Sequence, residues 1–127
     1  MLHRAGLYDA VLIKDNHVAI AGGVREAVER ARSHTDLAIE VEVESLDQLL
    51  EAMDAGADRI LLDNPDADLV NRALDLVAGQ VPLEVSGGMT VEKVREIAPL
   101  GPLLISVGRI THSAPALDVS LDVVVAP

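Results

Sequence analysis

Apolar and polar residues come in blocks along this chain, and short strand-like runs give way repeatedly to helical spacing. Asp9-Ala10-Val11-Leu12-Ile13-Lys14 reads as a first strand ending on a lysine, followed by the polar Asp15-Asn16-His17. Gly22-Gly23 opens a helical stretch from Val24 to about Ser33, with Val24, Ala27, Val28 and Ala31 at helical spacing. The second strand, Leu37 to Glu44, alternates: Glu40, Glu42 and Glu44 fall on one face, Val41 and Val43 on the other. If helices cover the valine face, the glutamates point inward. Ser45-Leu46-Asp47-Gln48 has the capping-box pattern of a helix start, with Leu46, Leu49, Leu50 and Met53 as its apolar stripe and Gly56 as its stop. Arg59-Ile60-Leu61-Leu62-Asp63 is a third strand. Asn64-Pro65-Asp66 then starts a helix whose Leu69, Val70, Ala73, Leu76 and Val77 face inward before Gly79.

Leu83-Glu84-Val85-Ser86 is a fourth strand, and it runs through Gly87-Gly88 into a helix from Thr90 to about Ala98 that Pro99 and Gly101-Pro102 break. A fifth strand spans Leu103 to Gly108. After it come Arg109-Ile110-Thr111-His112-Ser113 and a short helical stretch from Pro115, while the tail from Asp118 to Pro127 fits neither period. Strand then helix, with strand ends roughly 20 to 30 residues apart, is the mark of parallel βαβ units. The fold class expected is α/β: a partial, open (β/α) barrel of about five parallel strands with alternating helices. A closed barrel of this kind takes about 250 residues and eight strands. The chain therefore forms either an open sheet or one piece of a larger assembly.

Composition narrows the setting. The chain has 127 residues, half of them apolar, enough for one domain with a real core. Tyr8 is the single aromatic, so that core is aliphatic. The absence of cysteine rules out disulfides and thiolate metal sites and suits a cytoplasmic protein. Met1-Leu2-His3-Arg4 lacks the apolar core of a signal peptide, and no apolar run approaches membrane-spanning length. A formal net charge of −11 argues against broad nucleic-acid binding. It leaves room for a small anionic ligand in a locally cationic pocket.

Right-handed crossovers bring all strand C-termini to one side. Lys14, Glu42 or Glu44, Asp63, Ser86 and Gly108 are then expected at one rim, where α/β barrels carry their active sites. Ser86-Gly87-Gly88 and Ser106-Val107-Gly108 occupy the last two turns, where phosphate sites are common. Glycines let a ligand approach the backbone, and the following helix start adds partial positive charge. The plain alternative is a turn whose glycines serve only geometry. Carboxylates at i and i+2 lie about 6 to 7 Å apart on one face, so inward-facing glutamates need a counter-cation. One or two of them, with Asp63, could hold a divalent cation or sugar hydroxyls; the alternative is a solvated edge strand.

Read in order, His3-Arg4-Ala5-Gly6-Leu7, Leu12-Ile13-Lys14-Asp15-Asn16-His17, Glu40-Val41-Glu42-Val43, Leu61-Leu62-Asp63-Asn64, Ser86-Gly87-Gly88 and Ser106-Val107-Gly108 closely resemble the quinolinate phosphoribosyltransferases. The resemblance spans essentially all of residues 1–127 and implies a C-terminal α/β-barrel portion, without that family's N-terminal α/β domain and first barrel strands. It implies transfer of a phosphoribosyl group from phosphoribosyl pyrophosphate to quinolinate with loss of CO2, giving nicotinate mononucleotide. It also implies Mg2+ as cofactor and a dimer-based homo-oligomer; from charge and hydropathy, no nucleic-acid or membrane partner is expected. By the same resemblance Lys14, Glu42 and Asp63 are catalytic, with Glu42 and Asp63 the candidate metal ligands. His3, Arg4 and Lys14 hold the quinolinate carboxylates, Glu42, Asp63 and neighbouring Glu44 the ribose, and Ser86, Gly87, Gly88, Ser106, Gly108 and His112 the phosphate end. The isolated chain is expected to be inactive. Two other readings compete: a non-catalytic phosphate-binding or assembly module, and a transferase for another base.

Overall fold

A computed structural model describes residues 9–111 and residue 117. Among these residues five strands and five α-helices alternate: β1 (Ala10–Ile13), α1 (Asp15–Ala21), α2 (Val24–Arg32), β2 (Ala38–Val43), α3 (Leu46–Asp54), β3 (Arg59–Asp63), α4 (Ala67–Val77), β4 (Leu83–Ser86), α5 (Val91–Ile97) and β5 (Leu104–Ile105). Short 3-10 turns occupy Ala98–Leu100 and Gly108–Ile110. The sheet runs β1-β2-β3-β4-β5, every neighbour parallel. When spatial order follows chain order and crossovers share one hand, all helices land on the same face. The result is the expected open, barrel-like sheet of parallel strands, with one face covered by helices.

The covered face is aliphatic. Ile13, Ile39, Val41, Val43, Ile60, Leu62, Leu83 and Val85 are buried together with Val24 and Val28 of α2, Leu49 and Ala52 of α3, Val70, Ala73 and Val77 of α4, and Ile97 of α5. Each such Val, Leu or Ile contributes about 1.5–3 kcal/mol relative to exposure. This layer is the main source of stability and leaves the opposite face free to carry charge.

Helix starts are set locally. The Ser45 hydroxyl accepts the Gln48 amide, the Asp66 carboxylate that of Leu69, and the Thr90 hydroxyl that of Lys93. Gln48 departs from a strict capping box, because its carbonyl oxygen takes the amide of Glu44, one residue before the cap.

Four details differ from the sequence expectation. The polar Asp15-Asn16-His17 opens α1, which starts because His17 Nδ1 accepts the Lys14 amide at 3.0 Å and Asp15 sits at the positive helix end. Asp15, Asn16 and His17 at its start are weak helix formers and none of its residues is buried, so no apolar stripe marked it. The fifth strand is only Leu104–Ile105 and not Leu103 to Gly108, because a 3-10 turn begins at Gly108. Leu50 and Leu76, expected to face inward, are exposed, while Ala52, which was not expected to, is buried. Glu44 lies beyond the end of β2 and is exposed, so the row of inward carboxylates contains Glu40 and Glu42 only.

At the opposite, N-terminal edge of the strands, Asp58 ties three elements. Its carboxylate accepts the Arg32 guanidinium and the Ile39 amide, and its own amide donates to the Ile39 carbonyl. Burial alone would push the Asp58 carboxyl up, but the Arg32 and Ile39 hydrogen bonds outweigh it and hold the carboxyl below its ordinary value. A depressed carboxylate adds stability above its unfolded value of about 4 and loses it as pH falls through the lower folded value. Asp58→Asn is therefore expected to cost about 1 kcal/mol at neutral pH, limited by solvent screening. Urea midpoints of the two proteins should converge in acid, and a constant gap would exclude the carboxylate as the cause.

Candidate active site

Strand alternation sets what the uncovered face presents. In register, Leu12, Glu40 and Arg59 lie side by side on β1, β2 and β3, and Glu42, Leu61, Glu84 and Leu104 on β2 to β5. Asp63 lies beside Ser86 at the ends of β3 and β4. Because every strand is parallel, Lys14, Glu42, Asp63 and Ser86 occupy one rim on four successive strands. Lys14 Nζ lies 3.3 Å from Glu42 Oε2, and the Glu42 side chain is only 16% exposed. A cavity of about 180 Å³ adjoins this pair, lined by Asp15, Val18, Ala19, Glu42, Glu44 and Gln48. A larger hollow of about 560 Å³ lies by the opposite ends of β4 and β5 among Leu74, Val77, Val81, Leu83 and Leu103; it is mostly apolar and away from the rim.

One layer below the rim is a charged cluster. Arg59 Nη1 lies 3.7 Å from Glu40 Oε2 and 3.5 Å from Glu84 Oε2, with side-chain exposures of 14%, 5% and 2% for Arg59, Glu40 and Glu84. The counter-cations that the inward glutamates require are thus supplied by the chain itself: Lys14 for Glu42, and Arg59 for Glu40 and Glu84. Neither Arg59 nor Glu84 was singled out from the sequence. The period-two rule could have found them, since Glu84 precedes Ser86 by two residues and Arg59 precedes Asp63 by four, placing each pair on one face.

The two turns at the β4 and β5 ends are built differently. Gly87 and Gly88 have φ of 82° and 56°, in the left-handed region. A Cβ on Gly87 would stand 2.6 Å from Asp63 Oδ1 and 2.8 Å from the Asn64 nitrogen. The close approach of two strand ends thus requires glycine there, whatever else binds. After β5 the Ser106 amide donates to the Val85 carbonyl at 2.9 Å. Its hydroxyl donates to Glu84 Oε1 at 2.5 Å, so the Ser106 side chain is engaged with the chain's own carboxylate and aimed below the rim. Gly108 is exposed in the 3-10 turn, and its carbonyl accepts the Thr111 hydroxyl at 2.9 Å. On α5 the Glu92 carboxyl is held below its ordinary range by its own amide and the Thr90 hydroxyl, with Arg109 adding to the effect.

His3, Arg4 and His112 lie outside the described residues, as does the stretch from Pro115. Among the described residues no group of three or more His, Cys, Asp or Glu side chains could hold a metal ion, and no helix is long and apolar enough to cross a membrane.

Residues 1–122 match the family model described as quinolinate phosphoribosyl transferase, C-terminal domain. The chain is 44% identical over 123 residues to a probable carboxylating nicotinate-nucleotide pyrophosphorylase of Bacillus subtilis, covering 95% of this chain and 43% of that protein. It is 41% identical to the human carboxylating nicotinate-nucleotide pyrophosphorylase, covering 94% of this chain and 42% of the relative. The solved nicotinate-nucleotide pyrophosphorylase of Francisella tularensis superposes with a TM-score of 0.83 at 43% identity, over 91% of this chain and 42% of that one. The chain thus spans less than half the length of these relatives. With a family match over nearly its whole length and a solved relative of the same fold, the chain belongs to the quinolinate phosphoribosyltransferase family, in which it corresponds to the C-terminal domain.

Proposed function

We propose that residues 1–127 carry the C-terminal share of an active site that transfers a phosphoribosyl group from phosphoribosyl pyrophosphate to quinolinate. The observation that carries this reading is the order of groups along the rim: a cation at Lys14, carboxylates at Glu42 and Asp63, then the Ser86-Gly87-Gly88 turn, on adjacent strands. Strands about 4.8 Å apart lay these groups over roughly 15 Å, a scale suited to an extended nucleotide. In the reaction the pyridine nitrogen bonds to the anomeric carbon as its bond to pyrophosphate breaks. The adjacent ring carboxylate leaves as CO2, its bonding electrons pass to the ring carbon, and a proton replaces it.

Each residue type has a fitting task. Lys14, with His3 and Arg4, orients the dianionic acid so that its nitrogen faces the sugar. Glu42 and Asp63 take the ribose hydroxyls and stabilise the cationic, oxocarbenium-like sugar. Ser86, Gly87, Gly88, Gly108 and His112 take the phosphate. Ser106, whose hydroxyl donates to Glu84 Oε1, stands at the same end of the site. Two rim carboxylates are too few to cage a metal, which fits Mg2+ arriving on the phosphoribosyl pyrophosphate with its own oxygen ligands. Bound so, Mg2+ offsets the charge of the leaving pyrophosphate. A dimer in a cytoplasmic setting belongs to the same proposal.

Calorimetric titration of the 127-residue chain with quinolinate and with phosphoribosyl pyrophosphate in Mg2+ tests it. Binding of both ligands is expected. Binding of the sugar phosphate alone would favour the second reading, a phosphate-binding module, which the partial span of the relatives keeps open. Because the relatives devote more than half their length to residues with no counterpart here, the isolated chain should show no steady-state CO2 release. Release would show that these residues suffice. Lys14→Ala should weaken quinolinate binding roughly 10–100-fold, the value of a hydrogen bond to a charged group, and unchanged affinity would remove Lys14 from the site.

A further inference from the structure

We infer that Asn64, held by Lys93, is a positioning residue that locks the Ser86-Gly87-Gly88 turn against Asp63 and so fixes the spacing between carboxylate and phosphate-holding turn. The inference rests on the transferase reading given above.

Asn64 follows the last residue of β3 and has φ of 46°. Among the described residues only one other non-glycine, Ala78, has positive φ, and it caps the C-terminus of α4. No helix ends at Asn64, so its left-handed backbone serves the turn itself, a conformation that Asn tolerates better than most residues. From there it grips the glycine turn on both sides. Before the turn, the Asn64 amide donates to the Ser86 carbonyl at 2.8 Å, extending the ladder one bond beyond the Asp63–Ser86 pair. After the turn, Asn64 Oδ1 accepts Lys93 Nζ at 2.9 Å from the first turn of α5.

The glycines answer to the same residue. A Cβ on Gly87 would meet the Asn64 nitrogen at 2.8 Å and its Cβ at 3.0 Å, and one on Gly88 would meet Asn64 Oδ1 at 3.0 Å. The turn is therefore seated on Asn64, and Asn64 is covalently next to Asp63. Asn64 thus stands against both glycines at the end of the rim away from Lys14 and Glu42, so its placement is expected to set the distance between the turn and the carboxylate. A misplacement of about 1 Å can cost roughly a hundredfold in a reacting site.

The test compares wild type, Asn64→Gly and Asn64→Asp by calorimetry, with phosphoribosyl pyrophosphate plus Mg2+ and quinolinate as separate probes, and records a melting curve for each protein. Asn64→Gly keeps the backbone conformation and loses the group that Lys93 holds; Asn64→Asp keeps an oxygen acceptor for it. Asn64→Gly should bind the sugar phosphate roughly 10-fold or more weaker while quinolinate affinity is retained, and Asn64→Asp should recover most of the loss, as expected for a charge-assisted hydrogen bond. Lys93→Met, on a helix surface, should reproduce the selective loss if Asn64→Gly does not fold. Equal loss of both ligands would reduce Asn64 to a structural role and overturn the inference, as would unchanged binding of the sugar phosphate by a folded Asn64→Gly or Lys93→Met variant. Wild type that binds neither probe would instead overturn the transferase reading, and this inference with it.

Discussion

Replacing Arg59 by methionine should lower the folding free energy by about 3–5 kcal/mol, the usual cost of removing one partner from a buried ion pair. Arg59 sits between Glu40 and Glu84, one strand to either side, at 3.7 and 3.5 Å. Without it, two almost fully buried carboxylates lose the cation they share across β3. The Ser106 hydroxyl still donates to Glu84 Oε1. Domains are stable by only about 5–15 kcal/mol, so the loss would be a large share of the total.

Acid removes the charge of carboxylates, so the deficit caused by the missing cation should shrink as pH falls. Combining Arg59→Met with Glu40→Gln and Glu84→Gln should recover much of the loss, because neutral groups of the same shape remove the repulsion. Urea unfolding at several pH values measures both. A deficit below about 1 kcal/mol at neutral pH would mean that solvent reaches this cluster as it reaches a surface ion pair.

Gly87→Ala carries the second large effect. The left-handed conformation alone costs a non-glycine residue about 1–2 kcal/mol. The added methyl would also stand 2.6 Å from Asp63 Oδ1 and 2.8 Å from the Asn64 nitrogen. The second of these is backbone and cannot swing aside, so overpacking adds about 1–3 kcal/mol. Gly56→Ala is the natural control, since Gly56 has φ of 81° with nothing within 4 Å of its Cβ direction. It should show the conformational cost only. Any Gly87→Ala protein that folds should also lose phosphoribosyl pyrophosphate binding by about a hundredfold, since the turn can relieve the clash only by moving. Equal melting temperatures for the two variants would show that the turn is looser than its contacts imply.

The fold was legible because its main determinants are local. Ser45 and Thr90 cap helices from their own positions, and the alternation of Glu40, Val41, Glu42 and Val43 sorts the two faces of β2 before any neighbour is known. Helix α1 was missed although its start is also local, because His17 Nδ1 taking the Lys14 amide is an unusual cap and none of its residues is buried. Other misses come from contacts between distant residues. The Ser106 hydroxyl pairs with Glu84, a residue 22 positions earlier, a contact that no local pattern displays.

The sequence by itself determined the order of parallel units, the aliphatic layer beneath the helices, and the set of charged and glycine-bearing strand ends, since period and turn chemistry are properties of neighbours along the chain. Only the tertiary structure decided that Arg59 neutralises Glu40 and Glu84, that Ser106 is engaged below the rim, and that Asn64 seats the glycine turn. These pairings join residues on different strands, and the register between strands is fixed by the packing of the whole sheet and its helices.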